Sequence, residues 1–247
     1  MEADYICEVI YNGGLPRDSY LNSLPVVKFL ERSGGIRLNR NVTFLVGENG
    51  TGKSTLLEAI AIAYGFNPEG GSRNFCFTTN DTHSALWEHI TLAKRRFPKD
   101  GFFLRAESLY NVATNIDQLD EQPAASPMII EGYGGVSLHN QSHGESFLAI
   151  VQNRFFGKGL YILDEPEAAL SPMRLLTLMA EINALVKQDS QFIIATHSPI
   201  LMALPGAEVL ELTGDGIASV DYRNTEHYRI TRRILERPES IFDTLLD

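Results

Sequence analysis

The chain has 247 residues, 44% of them apolar and 21% charged, a composition that excludes disorder, collagen or a coiled-coil rod as a description of the whole. With 31 acidic against 21 basic side chains the net charge is -10, so coating nucleic acid through overall charge is excluded, while a local basic patch is not. Cys7 and Cys76 cannot make a disulfide framework, the Met-Glu-Ala-Asp start is unlike a signal peptide, and no apolar run approaches the roughly 20 residues that span a bilayer. We therefore expect a cytoplasmic protein without membrane insertion.

In chain order, Tyr5 to Tyr11 is rich in β formers and is followed by the turn signal Asn12-Gly13-Gly14. Val42 to Val46 is a short apolar run ending at Gly47, the pattern of a buried strand. Lys53 to Tyr64 is helical in pattern, with Gly65 as its stop. Asn67 to Thr82 is polar and glycine-rich and reads as surface loop. Ala85 to Arg96 reads as a helix ending in Lys94, Arg95 and Arg96, and Gly101 to Leu104 as a short strand. Leu119 to Met128 carries two prolines and reads as loop. Glu145 to Phe156 reads as a helix, Leu160 to Leu163 as a buried strand, and Pro172 to Lys187 as a helix with proline just inside its start. Gln191 to Ala195 reads as a strand. Val209 to Leu212 and Ile217 to Val220 flank Gly214-Asp215-Gly216 as a hairpin, and the chain from Glu226 onward reads as helical. Alternation of this kind predicts an α/β fold with a mostly parallel sheet.

Gly47-Glu48-Asn49-Gly50-Thr51-Gly52-Lys53-Ser54 fits G-x-x-x-x-G-K-[ST] at each specified position, between a predicted strand and a predicted helix. Glycines let the backbone turn its N–H groups toward phosphates, and the next helix adds its positive end. Lys53 would reach the β- and γ-phosphates and the Ser54 hydroxyl would ligate Mg²⁺. The candidate ATP site runs from Gly47 through Thr55. Leu160-Tyr161-Ile162-Leu163-Asp164-Glu165 is an apolar strand ending in two carboxylates. Asp164 would hold Mg²⁺, and Glu165 is placed to polarise the attacking water.

With Pro166 added, Asp-Glu-Pro resembles the Walker B end of the ABC-type ATPases. Three more segments follow that family's order. Gln141-Ser142-His143-Gly144-Glu145-Ser146 resembles the signature, normally Leu-Ser-Gly-Gly-Gln. Ala169-Leu170-Ser171 resembles the D-loop, and Thr196-His197-Ser198-Pro199 the switch histidine. The wording around Gly47 to Ile60 and around Thr196 to Leu201 is similar to the SMC/RecF-like branch. The runs Gly101 to Ser108 and Ser142 to Ser146 are similar to its small stand-alone bacterial ATPases. The interval from Lys53 to Ser142 has no room for heptad arms.

The resemblance implies one P-loop NTPase domain of ABC-ATPase type over residues 1–247, a mixed, mainly parallel sheet with a small helical lobe at about 67–157. It implies a head-to-tail homodimer with two ATPs between subunits. Ser142 and the Gly144 backbone would meet the partner's γ-phosphate, and His197 would meet it in cis and sense hydrolysis. His143 and Glu145 depart from the signature, and Ser171 replaces the usual D-loop aspartate. Glu107 is the candidate for the Q-loop position; Tyr20 and Phe29 are candidates, by position, for stacking on adenine.

His139 and His143 have helical metal spacing but no third ligand nearby, and His143 is better read as part of the signature. Lys94, Arg95, Arg96 and Lys99, and again Arg229, Arg232, Arg233 and Arg237, are basic clusters. Each is a solvated face or part of a DNA surface. Trp87 reads as a core anchor. The function expected is an ATP-binding and ATP-hydrolysing ATPase in a DNA-linked process, repair or phage defence. The alternatives are an ATP-driven regulator of a separate effector protein and, third, a transporter's ATPase subunit.

Overall fold

The computed structural model describes residues 5–73, 84–121 and 128–239. Its strands are β1 (Ile6–Tyr11), β2 (Gly35–Arg37), β3 (Val42–Gly47), β4 (Ile90–Lys94), β5 (Asp100–Arg105), β6 (Gly159–Asp164), β7 (Gln191–Ala195), β8 (Glu208–Leu212) and β9 (Ile217–Val220). Its helices are α1 (Pro25–Ser33), α2 (Lys53–Tyr64), α3 (Leu109–Asp120), α4 (His143–Arg154), α5 (Pro172–Val186), α6 (Pro199–Met202) and α7 (Glu226–Glu236). Six strands form the main sheet in the order β5-β6-β7-β3-β8-β9. The first five run parallel, and β9 is the antiparallel arm of a hairpin with β8.

The sequences of β3, β6 and β7 explain why they lie inside. Each is buried along its whole length, so each reads as a nearly continuous apolar run rather than an alternating one. Successive residues still serve opposite faces. Phe44, Tyr161, Leu163, Phe192 and Ile194 pack under α3, α4 and α5. Leu45, Leu160, Ile162 and Ile193 pack under α2, α1 and the small sheet. That second sheet, β2-β1-β4, is antiparallel. Buried Gln191 ties it to the main sheet: its Oε1 accepts from the Tyr5 and Ile6 amides and its Nε2 donates to the Ile6 carbonyl.

Several expectations are corrected. Ala85 to Arg96 is not a helix: a 3-10 turn over Ala85–His89 leads into β4, where Ile90 and Leu92 are buried and Thr91 is exposed, a period of two. The basic run that resembles a helix end instead closes a strand. Gly70, Gly71 and Ser72 are buried rather than surface loop, because Gly71 pairs with Phe103 on β5; residues 74 to 82 of that stretch lie outside the described residues. Leu119 and Asp120 belong to α3, which the sequence reading passed over although Leu109, Val112, Ala113 and Ile116 are buried at helical spacing. α1, with proline at its start and Gly34 at its end, is a further helix absent from the elements expected above. Among the described residues of 67–157 the α-helices are α3 and α4, while β4 joins the small sheet and β5 the main one. No helix among the described residues is long and apolar enough to cross a membrane.

Candidate active site

In parallel α/β sheets, ligands gather at the carboxyl ends of the strands. Here β7 lies between β3 and β6, so the segments that leave Gly47, Asp164 and Ala195 emerge side by side. The loop after β3 is bounded by structure on both sides. Gly52 caps α2 in the left-handed region, at φ 95°, and a Cβ there would collide with Val26 of α1, so only glycine fits. Thr51 turns inward, donating its hydroxyl and its amide to the Glu48 carbonyl. Lys53 donates to that same carbonyl at 3.0 Å, so its ammonium spans the inside of the loop. Lys53 is only 4% exposed. Burial lowers its pKa, against the upward pull of Glu165, Asp164, Glu48 and Glu167.

Ser54, one residue on, donates its hydroxyl to Asp164 Oδ1 at 3.1 Å. Asp164 is 6% exposed, and burial pushes its pKa from the ordinary 3.8 to about 6. Arg105, 3.4 Å from the other carboxylate oxygen, and the Ser54 hydroxyl oppose that rise without cancelling it. Arg105 is shared, since its closer partner is Glu58 of α2 at 2.7 Å. Glu107, the Q-loop candidate, is exposed at the turn before α3, near enough to push the Asp164 pKa upward. Glu165 takes a left-handed backbone, φ 47°, unusual for a side chain of its size, with its amide bonded to the Ala195 carbonyl. Its Oε1 is 3.5 Å from His197 Nε2. Glu167 accepts the His197 amide proton, and burial raises its pKa. His197 moves the other way: burial, then Lys53 and His227, lower its pKa. Its Nδ1 lies 2.9 Å from Nε2 of His227, at the start of α7.

Gly47 through Thr55, Asp164, Glu165 and His197 thus lie in one continuous group. Ser142 and Gly144 form a second group. Ser142 is the N-cap of α4 in a capping box: Glu145 Oε2 accepts its hydroxyl at 2.6 Å and its amide at 3.0 Å. Arg174 of α5 bridges Ser142 Oγ at 3.2 Å and Glu145 Oε1 at 3.0 Å. The Ser142 bonds, then Arg174, lower the Glu145 pKa. A Cβ on Gly144 would sit 2.8 Å from the Ala169 carbonyl, so the turn after Asp164 packs directly on the start of α4. Ser171 is the N-cap position of α5.

Of the adenine candidates, Tyr20 is 64% exposed, while Phe29 is packed against Gly216 of the β8–β9 turn. His139 is engaged by Thr114 at 3.1 Å and by the Tyr110 ring, while His143 opens α4, and among the described residues no third metal ligand joins them. Trp87 packs on the core under α2. Four residues beside these groups carry no mark in the motifs above: Arg105, Glu167, Arg174 and His227. Arg105 lies within Gly101 to Ser108, a run that resembles the family, but no local pattern marks the other three.

Residues 26–117 match a family model described as "AAA domain", and residues 130–203 one described as "AAA domain, putative AbiEii toxin, Type IV TA system". No curated protein matches in sequence. Among solved structures, one described as "an inward-facing conformation of a putative metal-chelate type ABC transporter" superposes with a TM-score of 0.51 at 14% identity, over 92% of this chain and 88% of that one. A cassette from Clostridium perfringens, part of an ABC transporter complex, gives 0.49 at 15% identity, over 99% and 100%. An ADP-bound form of an ATP-binding cassette of an ABC transporter gives 0.49 at 14%, over 98% and 99%. At such identities the first likeness speaks for the fold alone.

Proposed function

We propose that this chain, a small P-loop ATPase of the AAA/ABC type, turns over ATP inside a head-to-tail homodimer in a DNA-linked process. The observation that carries the reading is the 3.1 Å contact between Ser54 Oγ and Asp164 Oδ1. It joins the loop that would cradle the phosphates to the strand end that supplies the acid. The backbone amides of Gly50 to Lys53 and the start of α2 would bind the phosphate oxygens. Lys53 would exchange the Glu48 carbonyl for the β- and γ-phosphates.

Ser54 Oγ and Asp164 offer hard oxygen donors, and a buried carboxylate pushed up to about 6 is short of positive charge, so the pair fits Mg²⁺. When bound, Mg²⁺ supplies charge neutralisation at the phosphates. Glu165 would take the proton of the attacking water as the water oxygen bonds to the γ-phosphorus and the bond to the β-phosphate oxygen breaks. His197, 3.5 Å from Glu165, would donate from Nε2 to the γ-phosphate.

The dimer reading is supported by the position of the Ser142 group. Ser142 is exposed at the N-terminus of a 12-residue helix, a surface suited to an anion delivered from outside. The partner's γ-phosphate would fill it. DNA is supported by Arg229, Arg232 and Arg233 of α7, which with Arg223 and with Arg237 just past the helix line an open groove. The description matched by residues 130–203, which names a putative toxin, supports a second reading, an ATP-driven regulator of a separate effector protein.

Glu165→Gln tests the core of the reading. Turnover should fall by roughly 10²–10⁴-fold with ATP still bound. The trapped protein should elute as a dimer with ATP and as a monomer with ADP. Full turnover would place the base elsewhere, and a monomer at saturating ATP would overturn the shared site.

A further inference from the structure

His227 lies thirty residues beyond His197 in the chain, yet the two rings meet at 2.9 Å between His197 Nδ1 and His227 Nε2. We propose that His227 is a positioning residue: its Nε2–H donates to His197 Nδ1 and so holds His197 in the tautomer that carries its proton on Nε2, facing Glu165 and the nucleotide. The proposal rests on the reading of His197 given above for its consequence in turnover, but not for the tautomer itself.

The tautomer follows from the partners of the four ring nitrogens. His197 Nε2 faces Glu165 Oε1 at 3.5 Å, and His227 Nε2 faces Glu48 Oε1 at 3.8 Å. An ionised carboxylate only accepts, so His197 Nε2 is best protonated, and Glu48, beyond hydrogen-bond distance, leaves the His227 Nε2 proton to His197 Nδ1 at 2.9 Å. That leaves His197 Nδ1 as a lone pair, free to accept from His227 Nε2–H. It also leaves His227 Nδ1 as a lone pair, and this atom is buried with no hydrogen-bond partner among the described residues. The opposite arrangement fails at both ends. With the proton on His197 Nδ1, a lone pair would point at the Glu165 carboxylate. His227 would then carry its proton on Nδ1, a buried N–H with no acceptor, which is the rarer and costlier kind of orphan. Burial favours the neutral form of His197, in keeping with its lowered pKa.

The mounting of His227 suits the role. Thr225, fully buried, caps α7 by accepting the Tyr228 amide at 3.3 Å and donates to the Tyr222 carbonyl at 2.6 Å. The Glu226 amide bonds Glu211 on β8 at 3.2 Å. The residue before His227 is therefore fixed to the same sheet that carries His197, and the imidazole reaches the site from a rigid element.

Two variants separate donation from bulk. His227→Gln places an amide N–H close to where Nε2 lies; His227→Leu keeps volume and removes the donor. Long-range proton–nitrogen NMR of the nucleotide-free protein should show His197 protonated on Nε2 in the parent and in His227→Gln, and a mixture of tautomers in His227→Leu. Turnover in His227→Leu should fall by about tenfold in kcat, the equivalent of one hydrogen bond, with KM for ATP unchanged, and His227→Gln should recover it. A parent His197 protonated on Nδ1, or one whose tautomer is the same in His227→Leu, overturns the proposal. So does an equal loss of kcat in both variants with tautomers intact. If the parent turned over no ATP, the proposed function would fall, and the NMR comparison would still decide the tautomer.

Discussion

Replacing Asp164 by asparagine should stabilise the ligand-free protein while removing the Mg²⁺-dependent turnover proposed above. The folded state holds the Asp164 proton up to about pH 6, against 3.8 for the unconstrained group. Between those values the folded protein binds more protons than the unfolded chain. Its stability therefore falls as pH rises through that window and stays low above it. The difference is worth about 3 kcal/mol at 1.36 kcal/mol per unit of pKa, large beside a typical total of about 5–15 kcal/mol. Asparagine never ionises, so it should abolish this loss. Its side-chain oxygen can still accept from Ser54, and Arg105 keeps Glu58 at 2.7 Å. Urea unfolding in chelator should give equal stabilities near pH 4 and an advantage for the variant that grows to as much as about 3 kcal/mol at pH 8. Added Mg²⁺ and ATP should stabilise the parent and leave the variant unmoved. A variant less stable than the parent at pH 8 would refute the reasoning, because it would show that the Arg105–Asp164 pair outweighs the burial of the carboxylate.

Three further outcomes follow from the same geometry. Lys53→Ala should abolish tight ATP binding in calorimetric titration, since the loop loses its buried cation; unchanged affinity would remove Lys53 from the site. Ser142→Arg should block closure, yet mixing it with Lys53→Ala should restore part of the turnover, because in a mixed dimer both lesions fall on one composite site and the other is intact. Reversal of Arg232 and Arg233 to glutamate should remove ATP-state binding to duplex DNA, and that binding in the parent should weaken steeply with salt. DNA binding that survives the reversal would move the contact away from α7.

Much of the fold and half of the candidate site are legible in the sequence, for a physical reason visible in the residues. Where a function is performed by consecutive residues, the pattern is local. Gly47 to Ser54 must turn, cap a helix and present a cation within one loop, and α2 begins and ends where Lys53 and Gly65 predict. The runs Val42 to Val46, Leu160 to Leu163 and Gln191 to Ala195 identify themselves because strands covered on both faces carry little else but apolar side chains. The errors arise where two patterns overlap. Lys94-Arg95-Arg96 imitates the basic end of a helix, and the alternation of Ile90 and Leu92 is too short to outvote it. The residues passed over are those whose meaning lies in topology. Arg105 reaches Asp164 because β5 pairs with β6 in parallel register, Arg105 opposite Asp164. Arg174 meets Ser142 because α5 packs on α4, and His227 meets His197 because the chain returns over β7 after the β8–β9 hairpin. No local spacing records such meetings.

The two halves of the proposed composite site differ in how well their charges are served, and this bears on which event needs the γ-phosphate. In the P-loop half, burial pushes each of Lys53, Asp164 and Glu167 toward its neutral form. A site of that kind gains from any ligand bringing charges of both signs, so nucleotide with Mg²⁺ meets little competition there. In the Ser142 half the opposite holds. Ser142, Glu145 and Arg174 satisfy one another, and the helix N-terminus that would receive the partner's phosphate already holds the Glu145 carboxylate. An arriving anion must displace a carboxylate that is ionised and bonded. Only a γ-phosphate extends beyond the P-loop far enough to compete, and ADP has none. Under the proposed reading, binding in cis and closure in trans therefore separate into a favourable step that either nucleotide can make and a contested step that ATP alone can win. That is differential affinity for two states, without which a ligand shifts no equilibrium.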